Sequence, residues 1–315
     1  MDTPSFPAEP DYIATPFELC LAELQAGTFR SGQVDELSDL SRVQLRRLGA
    51  IWSSIPVDTR TKLLTAIVDA GEASVEVDFR RVLRLALHDP EAELRKIAIS
   101  GLWEDDSRSC QEELLRLAVE DPSFDVRAIA LANMTNFIET AVENEEDADL
   151  VEAFESLVVR LAEDDATPVV ARTRAIEGLG VIAQSITTRA LINVAWEHGD
   201  SALEVAALMA IARSHEARWL ALVRPQLSSG DSDVRYAALR ALAAIGTSDD
   251  VEAIARCVVD EDADVRVGAI FALGEIGGPG AVRILRNRQE TAPAEERDAI
   301  AAALDTALIG SELAL

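Results

Sequence analysis

DSDVRYAALRALAAIG (Asp231–Gly246) and DADVRVGAIFALGEIG (Asp262–Gly277) are two copies of one phrase, set 31 residues apart. In both, an Arg follows Val, at Arg235 and Arg266. Three and four residues later come Ala238-Leu239 and Ala269-Ile270, then Ala241-Leu242 and Ala272-Leu273, and a Gly closes the copy. Apolar residues at spacings of three, four and seven mark one face of an α-helix. An internal period of this length means a repeat architecture.

Further copies lie upstream and downstream. Arg95 and Arg172 each precede the same small-then-large apolar pairs, Arg60 precedes Leu63-Leu64 and Ala66-Ile67, Arg127 precedes Ala130-Leu131 and Asn133-Met134, and Arg297 begins a weaker last copy. At Glu204 the Arg is lost, while Ala207-Leu208 and Ala210-Ile211 keep the pattern. Most steps between these anchors are 31 or 32 residues. The step from Arg127 to Arg172 is 45, and the run ENEEDAD (Glu143–Asp149) reads as an acidic insertion near 138–150. Before each anchor lies a second helical segment, such as 78–90, 111–121, 154–165 and 251–260. Each unit is therefore helix, turn, helix, turn. Gly71, Gly246 and Gly277 suit helix exits.

One such unit cannot bury its apolar face alone, whereas stacked units share a continuous core. The expected fold is all-α: a solenoid of antiparallel helix pairs wound as a right-handed superhelix over 56–315. Residues 1–16 carry four prolines and read as a flexible arm, and 17–55 as a helical N-terminal cap with helices near 16–24 and 40–52.

Composition narrows the function. About half the residues are hydrophobic and only 4% aromatic, which suits closely packed helices. A net charge of −27 disfavours nucleic acid and anionic membranes, because phosphates are held by clustered Lys and Arg. It permits a basic protein partner. No apolar run approaches the roughly 20 residues of a membrane span, and the first residues lack the pattern of a signal peptide. The chain reads as a soluble, cytoplasmic monomer. Cys20, Cys110 and Cys257 are far apart and form no CxxC pair, so they read as core thiols.

The DxxVRxxAxxALGxIG phrase, clearest at 231–246 and 262–277 and recognisable at 121–134, resembles short HEAT-like repeats of the type seen in phycobilin lyase subunits. The resemblance covers the chain from about residue 56 onward. It implies that Asp125, Asp233 and Asp264 form a structural ladder with Arg127, Arg235 and Arg266, interrupted near Glu204. It also implies that the second helix of each unit lines the concave side. Positions one, five and nine after each anchor then face the groove, and there the copies differ. On this basis Tyr236, Arg240 and Phe271 form an apolar-basic patch, and Trp103 and Glu104 an acidic one. Glu177, Arg213 and Glu275 complete the candidate partner-binding set.

Chemistry is poorly supplied. There are three histidines, none at the spacing of a helical zinc site. His215-Glu216 is a single His-Glu pair, where the HEAT-like di-iron enzyme deoxyhypusine hydroxylase uses several. No catalytic, cofactor or metal residues are expected. The expected function is a non-enzymatic scaffold or adaptor that holds a protein partner on the concave face. The alternatives are a phycobilin lyase-like or chaperone-like subunit acting on a chromoprotein, or an acidic regulatory subunit binding a basic protein.

Overall fold

The computed structural model describes residues 15–183 and 185–313, with side chains as far as Leu308. The proline-rich arm expected over 1–16 therefore lies outside the described residues, except for Thr15 and Pro16. Among the described residues every regular element is helical. The chain divides into two compact units, residues 1–117 and 118–315.

The first unit opens with α1 (Pro16–Ala26), where the Thr15 hydroxyl accepts from the Glu18 backbone and the Glu18 carboxylate returns the bond. A 3-10 segment (Ser31–Leu37) leads to α2 (Arg42–Ile51), capped in the same way by Ser41 and Gln44. Then follow α3 (Val57–Ala73), α4 (Arg80–Ala86) and α5 (Ala92–Ser100). Gly71 lies within α3 rather than at its exit. Helix α6 (Arg108–Glu120) carries the chain into the second unit.

The second unit begins with α7 (Phe124–Glu143) and α8 (Ala148–Glu163). Helices α9 (Val169–Leu179), α10 (Ile186–Glu197) and α11 (Ser201–Ser214) follow, then α12 (Leu220–Val223) and α13 (Ser232–Ile245). Next come α14 (Val251–Ile254), α15 (Ala263–Ile276), α16 (Gly278–Thr291) and α17 (Arg297–Leu313). The odd-numbered helices from α7 to α17 pack successively on one another, and the even-numbered ones form a second layer, as an α-solenoid does. In two repeats that second layer is short. Pro225 cannot continue α12, so the chain proceeds as a 3-10 turn (Arg224–Ser228). Likewise α14 gives way to a 3-10 turn at Cys257–Val259.

The recurring letters are the buried ones. Ala238, Leu239, Ala241 and Leu242 are completely buried, and so are Ala269, Ile270, Ala272 and Leu273. Small residues allow this closeness. A Cβ on Gly274 would lie 2.9 Å from the Ala303 Cα, so α15 and α17 touch backbone to side chain there. The 45-residue step is mostly helix. Phe137, Ile138 and Ala141 continue the buried stripe and lengthen α7 to 20 residues, leaving a short turn at 144–147.

Arg60, Arg235 and Arg266 meet acids, but not those within their own phrase. Asp233 and Asp264 are exposed in the first turns of α13 and α15, while Asp231 and Asp262 cap those helices. Asp125 likewise lies exposed in the first turn of α7. Arg235 instead grips Asp260 of the following repeat at 2.8 and 2.9 Å, and donates back to the Ser229 carbonyl at 3.0 Å. Arg266 donates to Glu296 at 2.7 Å and to the Asp260 carbonyl at 2.9 Å. Arg127 binds the Asp121 carbonyl in the same way and lies 4.9 Å from the Phe124 ring centroid. In the first unit, Asp89 is buried between Arg60 and the Trp52 indole, whose N–H donates at 2.7 Å. The ladder acid sits six residues before the next anchor in Asp89 and Asp260. A carboxylate there can receive the preceding arginine while its own carbonyl receives the next one. At Glu204 the arginine is missing, and the position six before Arg235 is Ser229, so both halves of the rung are absent.

Candidate functional site

The groove-facing positions have two fates. In the second unit, α13 and α15 bring Arg240 and Phe271 together, because both occupy the fifth position after their anchors in adjacent repeats. The Arg240 Cζ lies 4.5 Å from the Phe271 ring centroid, a cation–π stack across the joint. Phe271 remains 39% exposed. Among the described residues Arg240 makes no ion pair, so the edge of its guanidinium, with its N–H donors, stays open.

This pair borders a cavity of about 310 Å³. Met209, Ala212, Ala243 and Ala244 supply its apolar lining, and Glu275 and His215 its polar rim. Arg213 stands at one end. It donates to Glu139 at 2.5 Å and to Asn136 at 3.1 Å, reaching from α11 past α9 to α7. Helix α9 ends at Leu179 while α7 runs on to Glu143, so Arg213 reaches past the end of α9 to the last turns of α7. Of the candidate set, Arg213, Arg240, Phe271 and Glu275 thus share one cavity.

The others lie elsewhere. The Tyr236 ring packs on the next repeat, where a Cβ on Gly268 would approach it to 3.0 Å. Glu177 is held by Arg174 on its own helix at 2.7 Å. Val181, at the ninth position of its repeat, is buried rather than groove-facing. Trp103 and Glu104 line a separate cavity of about 290 Å³ within the first unit. Glu139 was hidden from the sequence reading because the acidic run after it suggested an inserted loop. The lengthening of α7 turns that stretch into a helical face.

A second row of arginine–carboxylate pairs, which the phrase does not announce, ties the even-numbered layer. Arg84 holds Asp105 through two bonds of 2.6 Å, Arg189 holds Glu216 at 2.6 Å and Arg224 holds Asp250 at 2.6 Å. Glu216, of the His215-Glu216 pair, is thereby committed to Arg189 and Arg218. The arginine bond lowers the Asp260 carboxyl below the usual range. For Glu296 and Asp250, burial pushes upward, but the arginine hydrogen bonds prevail and the net shift is down. Burial pushes the thiols of Cys20 and Cys110 up to about 11 and about 12, and raises Cys257 as well. They are therefore protonated at neutral pH and poor nucleophiles. Among the described residues no His, Cys, Asp and Glu group has metal-binding geometry, and no helix is long and apolar enough to cross a membrane.

The family model for HEAT repeats matches residues 187–266 and 220–305. These residues carry HEAT repeats. The matched HEAT repeats include both copies of the phrase and the Arg240–Phe271 stack. No curated protein matches the sequence. Among solved structures, the CpcE–CpcF complex of phycocyanin lyase from Nostoc sp. PCC7120 is 22% identical. That match covers 92% of this chain and 99% of that one, with a TM-score of 0.47. Human deoxyhypusine hydroxylase is 17% identical over 91% of this chain and 88% of that one, with a TM-score of 0.31. At these values no activity transfers to the HEAT repeats described here.

Proposed function

We propose that this protein is a non-enzymatic, cytoplasmic scaffold that acts as a monomer and holds a partner polypeptide on the inner face of its second unit. The contact centres on the cavity bordered by Arg213, Arg240, Phe271 and Glu275. The observation that carries the reading is the Arg240–Phe271 stack: an arginine without a carboxylate partner, on a chain with 56 acidic residues against 29 basic ones. Where acids are so abundant, an open guanidinium edge beside an exposed ring is matched to a group from outside. The ring orients the guanidinium, whose edge donors then take a carboxylate or backbone carbonyl. The alanine and methionine lining takes an apolar side chain. Aromatic residues and arginine are the side chains that most often dominate protein interfaces.

Capture from native lysate at low and high salt tests this. Phe271→Asp with Arg240→Glu removes the stack without touching the buried row. The reading expects partners that survive high salt with the native protein and are lost with the double variant. Partners that remain equally bound to both proteins would overturn it.

A further inference from the structure

We infer that the Trp103 cavity in the first unit is a second, separate docking site, shaped to take a cationic side chain from a basic polypeptide segment. Trp103 is 54% exposed, and Val75 at the rim is almost fully exposed. The site differs in sign from the inner face of the second unit. Two helices end in this cavity: the last turn of α3 contributes Gly71 and Glu72, and the residues after α5 contribute Gly101, Trp103 and Glu104. Neither helix has a basic residue in its last turn. The C-terminal carbonyls of a helix carry partial negative charge, which favours a cation nearby.

The side-chain charges add to this. Asp78 is neutralised by Arg80 at 2.6 Å, and Asp105 by Arg84. Glu72 and Glu104 are exposed and make no ion pair among the described residues. Two uncompensated carboxylates, two negative helix ends and an exposed indole thus border one hollow, and Arg80, which also lines it, is already paired with Asp78. A lysine or arginine head offers each of them a favourable contact, and its aliphatic stem can cover Val75 and the ring. The strongly negative chain draws a basic segment toward this surface.

An octalysine peptide is the probe, titrated by calorimetry and tryptophan fluorescence at physiological salt, with acetyl-lysine octamer as the uncharged control. Trp103→Ala, which removes the cation–π contact, and the pair Glu72→Gln with Glu104→Gln, which removes the nearby charges, are each expected to weaken octalysine about tenfold. Trp103→Phe, which keeps a ring, is expected to lose less. Glu145→Gln with Glu146→Gln removes the same charge from an exposed turn of the second unit and is expected to change affinity less than twofold. Arg240→Glu with Phe271→Asp is expected to leave octalysine bound, which separates this site from the inner-face reading. Equal weakening by the two glutamate pairs would show diffuse attraction to an acidic surface and overturn the proposal. So would the absence of octalysine binding, or equal binding of the acetylated peptide.

Discussion

Two neighbouring joints in the HEAT repeats are built differently. Between α13 and α15, the Arg235–Asp260 pair closes one layer and Arg224–Asp250 the other. Between α11 and α13, Glu204 and Ser229 stand where the arginine and its acid would be; the Ser201 hydroxyl donates to Asp231 there, and Arg189–Glu216 ties the even-numbered layer. Both joints bury the same apolar row completely, from Ala207 and Leu208 on one helix to Ala238 and Leu239 on the next. The contrast separates two roles. The apolar row makes the stack, and the charged rung is an addition to it. At this joint both halves of the rung are absent, so neither is left as an unpaired buried charge.

The largest effects should fall on the shared row. Leu208→Ala and Leu239→Ala are each expected to destabilise by about 2–5 kcal/mol in chemical denaturation, since each empties a closed site. Similar losses at the two joints support the comparison. A much smaller loss at Leu208 would show that the joint without the rung is also loosely packed.

Next comes the rung. Asp260→Ala leaves Arg235 without its carboxylate and is expected to cost about 1.5–3 kcal/mol, the range for hydrogen bonds to charged groups. Ser229→Ala, at the equivalent place in the other joint, keeps the carbonyl that Arg235 uses and should fall within about 0.5 kcal/mol of the native protein. Equal effects would erase the distinction.

The rung also has a pH signature. The carboxyls of Asp260, Asp250 and Glu296 titrate lower in the folded protein than in the unfolded chain. Their contribution is therefore complete above the unfolded values, about 4 for these groups, and is lost as pH falls through the lower folded values. Thermal midpoints should be flat from pH 7 to about 5 and fall below about 4, and Asp260→Ala should flatten part of that fall. An unchanged acid limb in Asp260→Ala would contradict the assignment.

Much of the architecture was legible in the sequence because the buried row recurs at helical spacing. The short helices of the even-numbered layer were less so: Pro225 gives a visible reason for one, while nothing as plain marks the end of α14. The acids of the ladder were misplaced for a physical reason. Asp233 and Asp264 belong to the recurring phrase, yet they sit in exposed first turns. The pairing acid lies in the loop before the helix, where the copies read Asp89, Asp121, Ala166, His198, Ser229 and Asp260, so the acid recurs in only half of them. The Arg240–Phe271 stack was legible because equivalent positions in adjacent repeats lie side by side. Glu139 was not, since its contact with Arg213 skips a repeat and depends on α7 running on past the level at which α9 ends.

The central claim is that recurring letters hold the HEAT repeats together and differing letters on the inner face bind. Site-specific photocrosslinking tests it most directly, with a benzophenone amino acid placed either at Phe271 or at Val259, which is 68% exposed in the even-numbered layer. In native lysate, the account predicts a discrete crosslinked partner from position 271 and none from position 259. The same crosslinked partner from both positions, or from 259 alone, would contradict it.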